Sequence, residues 1–106
     1  MSKILILGAG SMGTAFSFPC SDNSHSVSIV GTHVENNFID QVNSSKKHPA
    51  LDCEIPKGVR FSKFEMLEEE INKADLIVVA VASKGIEWVS VELSKVLKNT
   101  VPILIL

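Results

Sequence analysis

The sequence predicts an α/β fold with a parallel sheet and helices on both of its faces, and three observations carry that prediction. Short apolar runs alternate with amphipathic stretches along the whole chain. Two of the runs, Ile4-Leu5-Ile6-Leu7 and Leu76-Ile77-Val78-Val79-Ala80-Val81, are apolar at every position instead of every second one, and the first two runs stop at Gly8 and Gly31. An unbroken apolar run suits a strand buried on both faces, which a sheet between two helix layers supplies. At 106 residues the chain is sized for a single domain, residues 1–106.

Each element follows from its own residues. Lys3 to Leu7 is the first buried strand. Ser11 to about Cys20 suits a helix whose buried face is made by Met12, Ala15, Phe16 and Phe18 to Cys20, with Pro19 bending the last turn. The polar "SDNSHS" breaks the chain before Val27 to Val30, a second strand. Val34, Phe38, Ile39 and Val42 have helical spacing over 34–43, and "NSSKKHP" reads as a loop. Pro56 and Gly58 precede a short third strand, Val59 to Ser62. Phe64 to Lys73 reads as an acidic amphipathic helix, with Phe64, Leu67 and Ile71 inward and Glu68, Glu69 and Glu70 in water. Leu76 to Val81 is the fourth strand, Ile86 to Leu97 a helix and Val101 to Leu106 the fifth strand. This β-α-β-α-β-α-β-α-β order requires parallel strands joined by right-handed crossovers.

Composition narrows the function classes. A hydrophobic share of 45% against 21% charged residues is that of a folded globular chain, not a disordered one. The net charge of −2, with acids and bases interspersed, offers no footprint for nucleic acid or an anionic membrane. An anion must therefore be caught by local geometry. Cys20 and Cys53 belong to no Cys/His cluster, so they read as separate reduced thiols and no metal is expected. No stretch reaches the ~20 apolar residues of a membrane span, and the expected location is the cytoplasm.

Gly8-Ala9-Gly10-Ser11-Met12-Gly13 is G-x-G-x-x-G placed between a buried strand and a helix, the context in which this pattern signals dinucleotide binding. Gly8 permits the turn, Gly10 lets the backbone approach a pyrophosphate, and Gly13 lets helix and sheet pack closely. The helix N-terminus contributes free N–H groups and the positive end of its dipole. A Rossmann-type sheet and NAD or NADP are the expected fold and cofactor. An acid normally ends the second strand and takes the ribose hydroxyls of NAD. Here Val30-Gly31-Thr32-His33 stands in that place and the first carboxylate, Glu35, comes late. A 2′-phosphate beside Thr32, with His33, Lys46 or Lys47 nearby, is the expectation, which favours NADP(H).

With "ILGAGSMGTAF", "DNSHSVSIVGT", "KKHPAL", "IPKGVRFS" and "ADLIVVAVASKGI" in view, the chain resembles the amino-terminal part of the bacterial and archaeal NAD(P)-dependent glycerol-3-phosphate dehydrogenases over nearly its whole length. The resemblance implies cofactor phosphates on Ser11 and Met12, the adenosine ribose near Thr32 and His33, and the nicotinamide end over Val81, Ala82 and Ser83. Ala82 stands where the family commonly has proline, and Ser24 where relatives usually place glycine. It also implies interconversion of dihydroxyacetone phosphate and glycerol 3-phosphate for phospholipid synthesis. The family's Thr-Lys-Gly segment and helical substrate domain are not found in residues 1–106, so these residues are expected to bind cofactor without turnover. The phosphorylated substrate then requires that absent C-terminal domain. A stand-alone nucleotide sensor and a ketopantoate-reductase-type enzyme are the alternatives.

The remaining candidates read as structural. His48 in "HPAL" positions a loop in preference to acting as a base, Lys84 is a surface lysine, and Glu68-Glu69-Glu70 point in different directions on a helix. Trp88 packs with Ile86, Val89 and Leu93. An apolar terminal strand exposed at the sheet edge favours a homo-oligomer.

Overall fold

The computed structural model describes residues 2–33, 35–48, 53–81, 83–96 and 101–106. The expected helix start at Val34, the helix end at Leu97, the loop residues 49–51 and the site residue Ala82 lie outside them. The order of elements is β1 (Lys3–Leu7), α1 (Ser11–Asp22), β2 (Ser26–Val30), α2 (Asn36–Ser45), β3 (Lys47–His48), β4 (Cys53–Glu54), β5 (Val59–Ser62), a 3-10 turn at Phe64–Met66 running into α3 (Leu67–Lys73), β6 (Leu76–Val79), α4 (Ser83–Val96) and β7 (Ile103–Ile105).

Five of these strands form one parallel sheet in the order β5-β2-β1-β6-β7. The chain steps outward from β1 through β2 to β5, then returns to the other side of β1 with β6. That reversal between β1 and β6 is the switch point at which open α/β sheets leave a crevice beyond their strand ends. Register makes the crevice level, because Leu7 pairs with Val30 on one side and Val79 on the other. The amides of Gly8 and Ala80 continue the ladder by one bond each, to Val30 O and Leu7 O, both at 2.9 Å.

Alternate residues of each central strand serve opposite layers, as pleating demands. Ile4, Ile6, Val27, Ile29 and Val78 are buried with Ile39 and Val42 of α2 and with Phe16 and Cys20 of α1. Leu5, Leu7, Val30, Ile77 and Val79 are buried with Leu67 and Ile71 of α3 and Val89 and Leu93 of α4. Cys20 is a free thiol on the first of these faces, and burial pushes its pKa up, as suits a packing residue.

Several boundaries differ from the sequence expectation for identifiable reasons. The buried face of α1 is Gly13, Thr14 and Ser17, with Phe16 and Cys20 beside them, while Met12 is exposed by 66%. The helix lies so close to the sheet at Gly13 that only small residues fit beneath it. Pro19 sits inside α1, which continues to Asp22. The helix then closes with His25 N–H donating to Cys20 O and Ser24 N–H to Ser21 O, at 3.1 and 3.0 Å, which puts Ser24 at φ 66°. Those two bonds are the Schellman arrangement, and Ser24 occupies its glycine position.

The segment "NSSKKHP" is not simply a loop. Helix α2 runs on to Ser45, ends with Lys46 at φ 62°, and gives way to β3, which pairs antiparallel with β4. Strand β6 stops at Val79 because its neighbour β1 turns away at Gly8. Glu70 is buried, contrary to the reading that put it in water, whereas Glu68 and Glu69 are exposed and Glu69 pairs with Lys73 at 3.6 Å. Among the described residues, no helix is long and apolar enough to cross a membrane.

Candidate functional site

Three glycines shape the turn after β1, each under a different constraint. Gly8 has φ 114°, and a Cβ there would stand 2.5 Å from Ala80 O. At Gly13 a Cβ would stand 2.8 Å from Gly8 O and 2.9 Å from the Ala80 Cβ, so this position fixes how closely α1 approaches the sheet. At Gly10 a Cβ would meet nothing within 4 Å. Gly10 is the N-cap of α1, and among the described residues no side-chain cap bond closes that end of the helix. The result is a helix N-terminus with uncapped amides and open space in front of it, the arrangement that attracts anions.

That open space is a cleft of about 340 Å³ at the switch point, walled by Gly8 and Gly10, by Thr32 and Glu35 from the turn after β2, by Ala80 and Val81 just past β6 and by Gly85 in the first turn of α4. Ser11 opens α1 and Ser83 opens α4, which brings two helix starts to the same end of the sheet. The sequence-predicted residues Gly8, Gly10, Thr32 and Val81 thus meet in one place. Gly13 lies behind them as packing. His33 is exposed, and its ring stacks on Trp88 with centroids 4.4 Å apart, Trp88 in turn resting on Phe64 at 4.9 Å. Neither Lys46 nor Lys47 lines the cleft, although Lys47 directly precedes His48, whose ring reaches the glycine loop.

Side chains hold Ala9 from opposite sides, Glu35 at its N–H and His48 at its carbonyl, where the Thr14 hydroxyl also donates at 3.4 Å. The Ala9 N–H donates to Glu35 Oε1 at 3.3 Å, and the same oxygen accepts from Thr32 N–H at 2.7 Å. His48, 2% exposed, has Nε2 2.9 Å from Ala9 O. A carbonyl oxygen only accepts, so Nε2 carries the proton. Buried on a main-chain carbonyl and edge-on to Phe38 at 5.0 Å, His48 positions the loop and offers no base to the cleft.

Glu35 is the residue that reading along β2 missed. Counted along the chain it comes late for the strand end, but Glu35 N–H donates to Thr32 O at 3.0 Å, closing a turn that brings the side chain back. The sequence does contain a pointer. Thr32-x-x-Glu35 has the spacing in which an acid reaches back to the backbone N–H of a threonine at a helix start.

The family profile described as NAD-dependent glycerol-3-phosphate dehydrogenase N-terminus matches residues 3–106. The chain belongs to this family. Among individual members, it is 31% identical over 102 residues to the NADP(+)-dependent glycerol-3-phosphate dehydrogenase of Archaeoglobus fulgidus, covering 96% of this chain and 30% of that protein. It is 39% identical over 106 aligned positions to the glycerol-3-phosphate dehydrogenase [NAD(P)+] of Bacillus velezensis, covering 96% of this chain and 27% of the relative. The crystal structure of glycerol-3-phosphate dehydrogenase from Coxiella burnetii superposes with a TM-score of 0.87 at 19% identity over 98% of this chain and 31% of that one, which supports the Rossmann-type fold. The chain therefore spans about 30% of the length of such relatives.

Proposed function

We propose that residues 1–106 are the dinucleotide-binding part of a cytoplasmic oxidoreductase that interconverts dihydroxyacetone phosphate and glycerol 3-phosphate with NAD(H) or NADP(H), feeding phospholipid synthesis. The observation that carries the reading is the open space in front of Gly10 at the uncapped start of α1, a cradle that a side chain at this position would fill. The family and its named relatives agree with that cofactor class.

In this reading Gly8, Gly10, Ser11, Met12 and Gly13 surround the pyrophosphate, whose charge is met by backbone N–H groups and the helix dipole without a lysine. Thr32 and His33 lie toward the adenosine ribose, with His33 held at the rim by Trp88. Val81 and Ser83 lie toward the nicotinamide, the group that supplies hydride chemistry when bound. The glycerol-phosphate pocket is not built by these residues, in keeping with the share of each relative that they span. Ile103, Leu104, Ile105 and Leu106 are exposed at the β7 edge, and an open apolar edge favours a homodimer or larger assembly.

Titration of the 106-residue protein with NADH and NADPH, followed by nicotinamide fluorescence, tests the proposal. Saturable binding of at least one, with no oxidation of either when dihydroxyacetone phosphate is added, is the expected result. Absence of binding to both, or turnover by these residues alone, would overturn it.

A further inference from the structure

Family membership leaves the choice between NAD(H) and NADP(H) open, since relatives are named for NADP(+) and for NAD(P)+ alike. The cleft itself bears on that choice. We infer that Glu35 does the work of the acid missing from the end of β2, reading the adenosine ribose hydroxyls and making the chain selective for NAD(H). The inference rests on the dinucleotide-binding reading above and deepens it.

The placement of the carboxylate is the first ground. Its Oε1 is fixed by Thr32 N–H at 2.7 Å, just beyond β2, and by Ala9 N–H at 3.3 Å, one residue before Gly10. A single oxygen thus bridges the turn after β2 to the glycine loop. In a dinucleotide the adenosine ribose is bonded to the pyrophosphate, so a pyrophosphate at Gly10 carries its ribose toward this bridge. A strand-end acid performs the same task in chains that possess one. Both bonds fall on Oε1, which leaves Oε2 without a partner among the described residues, and Glu35 lines the cleft.

Charge is the second ground. Among the described residues that wall the cleft, Glu35 alone is ionisable, and no lysine or arginine accompanies it. The cation following β5, Lys63, is paired with Asp40 at 3.1 Å, and the His33 ring lies on Trp88. A 2′-phosphate would meet an anion held in place by two amides, whereas a pair of hydroxyls would find an acceptor. The earlier expectation of NADP(H) followed from counting along the strand, and the turn through Thr32 reverses its basis.

A purely structural Glu35, serving only to tie the turn to the loop, makes a different prediction. Removing its charge would then alter affinity for both dinucleotides by the same factor. Glu35→Gln separates the two cases because it keeps an oxygen acceptor for both amides while removing the charge. Calorimetric titration of the full chain is expected to show wild type binding NADH more tightly than NADPH by about tenfold or more, the scale of one charge-assisted hydrogen bond. In the variant the ratio should fall to within about threefold, mainly through tighter NADPH binding.

Equal or tighter wild-type binding of NADPH, or an unchanged ratio in Glu35→Gln, would overturn the inference while leaving dinucleotide binding in place. Failure of wild type to bind either dinucleotide would instead remove the functional reading, and this inference with it. Should the variant not fold, wild type alone decides through competition by 5′-ADP and 2′,5′-ADP. Stronger displacement by 5′-ADP supports Glu35 as the ribose acid, and stronger displacement by the 2′-phosphate compound contradicts it.

Discussion

Gly10 and Gly13 belong to one turn, yet a methyl group added at the two positions would meet opposite surroundings. At Gly13 it would strike Gly8 O at 2.8 Å and the Ala80 Cβ at 2.9 Å, and at Gly10 it would touch nothing within 4 Å. One glycine is required by the protein's own packing. The other meets no such demand, and in the proposed reading it keeps the cleft open to a pyrophosphate. If the proposed reading holds, the G-x-G-x-x-G pattern combines a structural demand with a functional one, and only the surroundings tell them apart.

The comparison is broken or sharpened first at Gly13. Gly13→Ala forces α1 away from the sheet against main-chain atoms that cannot yield, and a loss of about 3 kcal/mol is expected, a large part of a small domain's stability. Urea denaturation measures it, and a loss below about 0.5 kcal/mol would show that the contact is soft.

His48→Ala comes next. It removes a buried ring and leaves the Ala9 carbonyl to the longer bond from the Thr14 hydroxyl, at 3.4 Å, so about 2 kcal/mol should be lost. Because Ala9 adjoins Gly10, this variant should also weaken dinucleotide binding, combining the effects of the two glycines in one substitution. Unchanged affinity in a folded His48→Ala protein would mean that the loop holds its shape without the clamp.

The smallest effect has the opposite sign. Ser24→Gly relieves a left-handed residue at the close of α1, and a gain of about 1 kcal/mol is expected with no change in binding. A thermal midpoint that does not rise would contradict this reading of the helix end.

The sheet was legible because its central strands are apolar on both faces, and the glycine loop because a strand and a helix flank it. What escaped was set by distance or by brevity. The hairpin of β3 and β4 has two residues per strand, too few for any periodicity to register. Met12 fits an apolar helical stripe, but the rotation of α1 is decided by the close approach at Gly13, which turns Met12 outward. The clamp on Ala9 joins residues 26 and 39 positions apart, and no local pattern reports such a meeting. Ser24 is the contrasting case. It stands where the resemblance implies a glycine, and its φ of 66° is the conformation that glycine would adopt without strain.

Gly10→Val offers the most direct measurement, because the added side chain has room in the protein and none to spare in an occupied cleft. Denaturation of the variant should lie within about 1 kcal/mol of wild type, the scale of an N-cap change. Calorimetry with NADH and NADPH should show affinity reduced by more than about tenfold, the loss expected when close backbone approach to the pyrophosphate is blocked. A stable Gly10→Val protein that binds either dinucleotide as wild type does would contradict the assignment of this cleft.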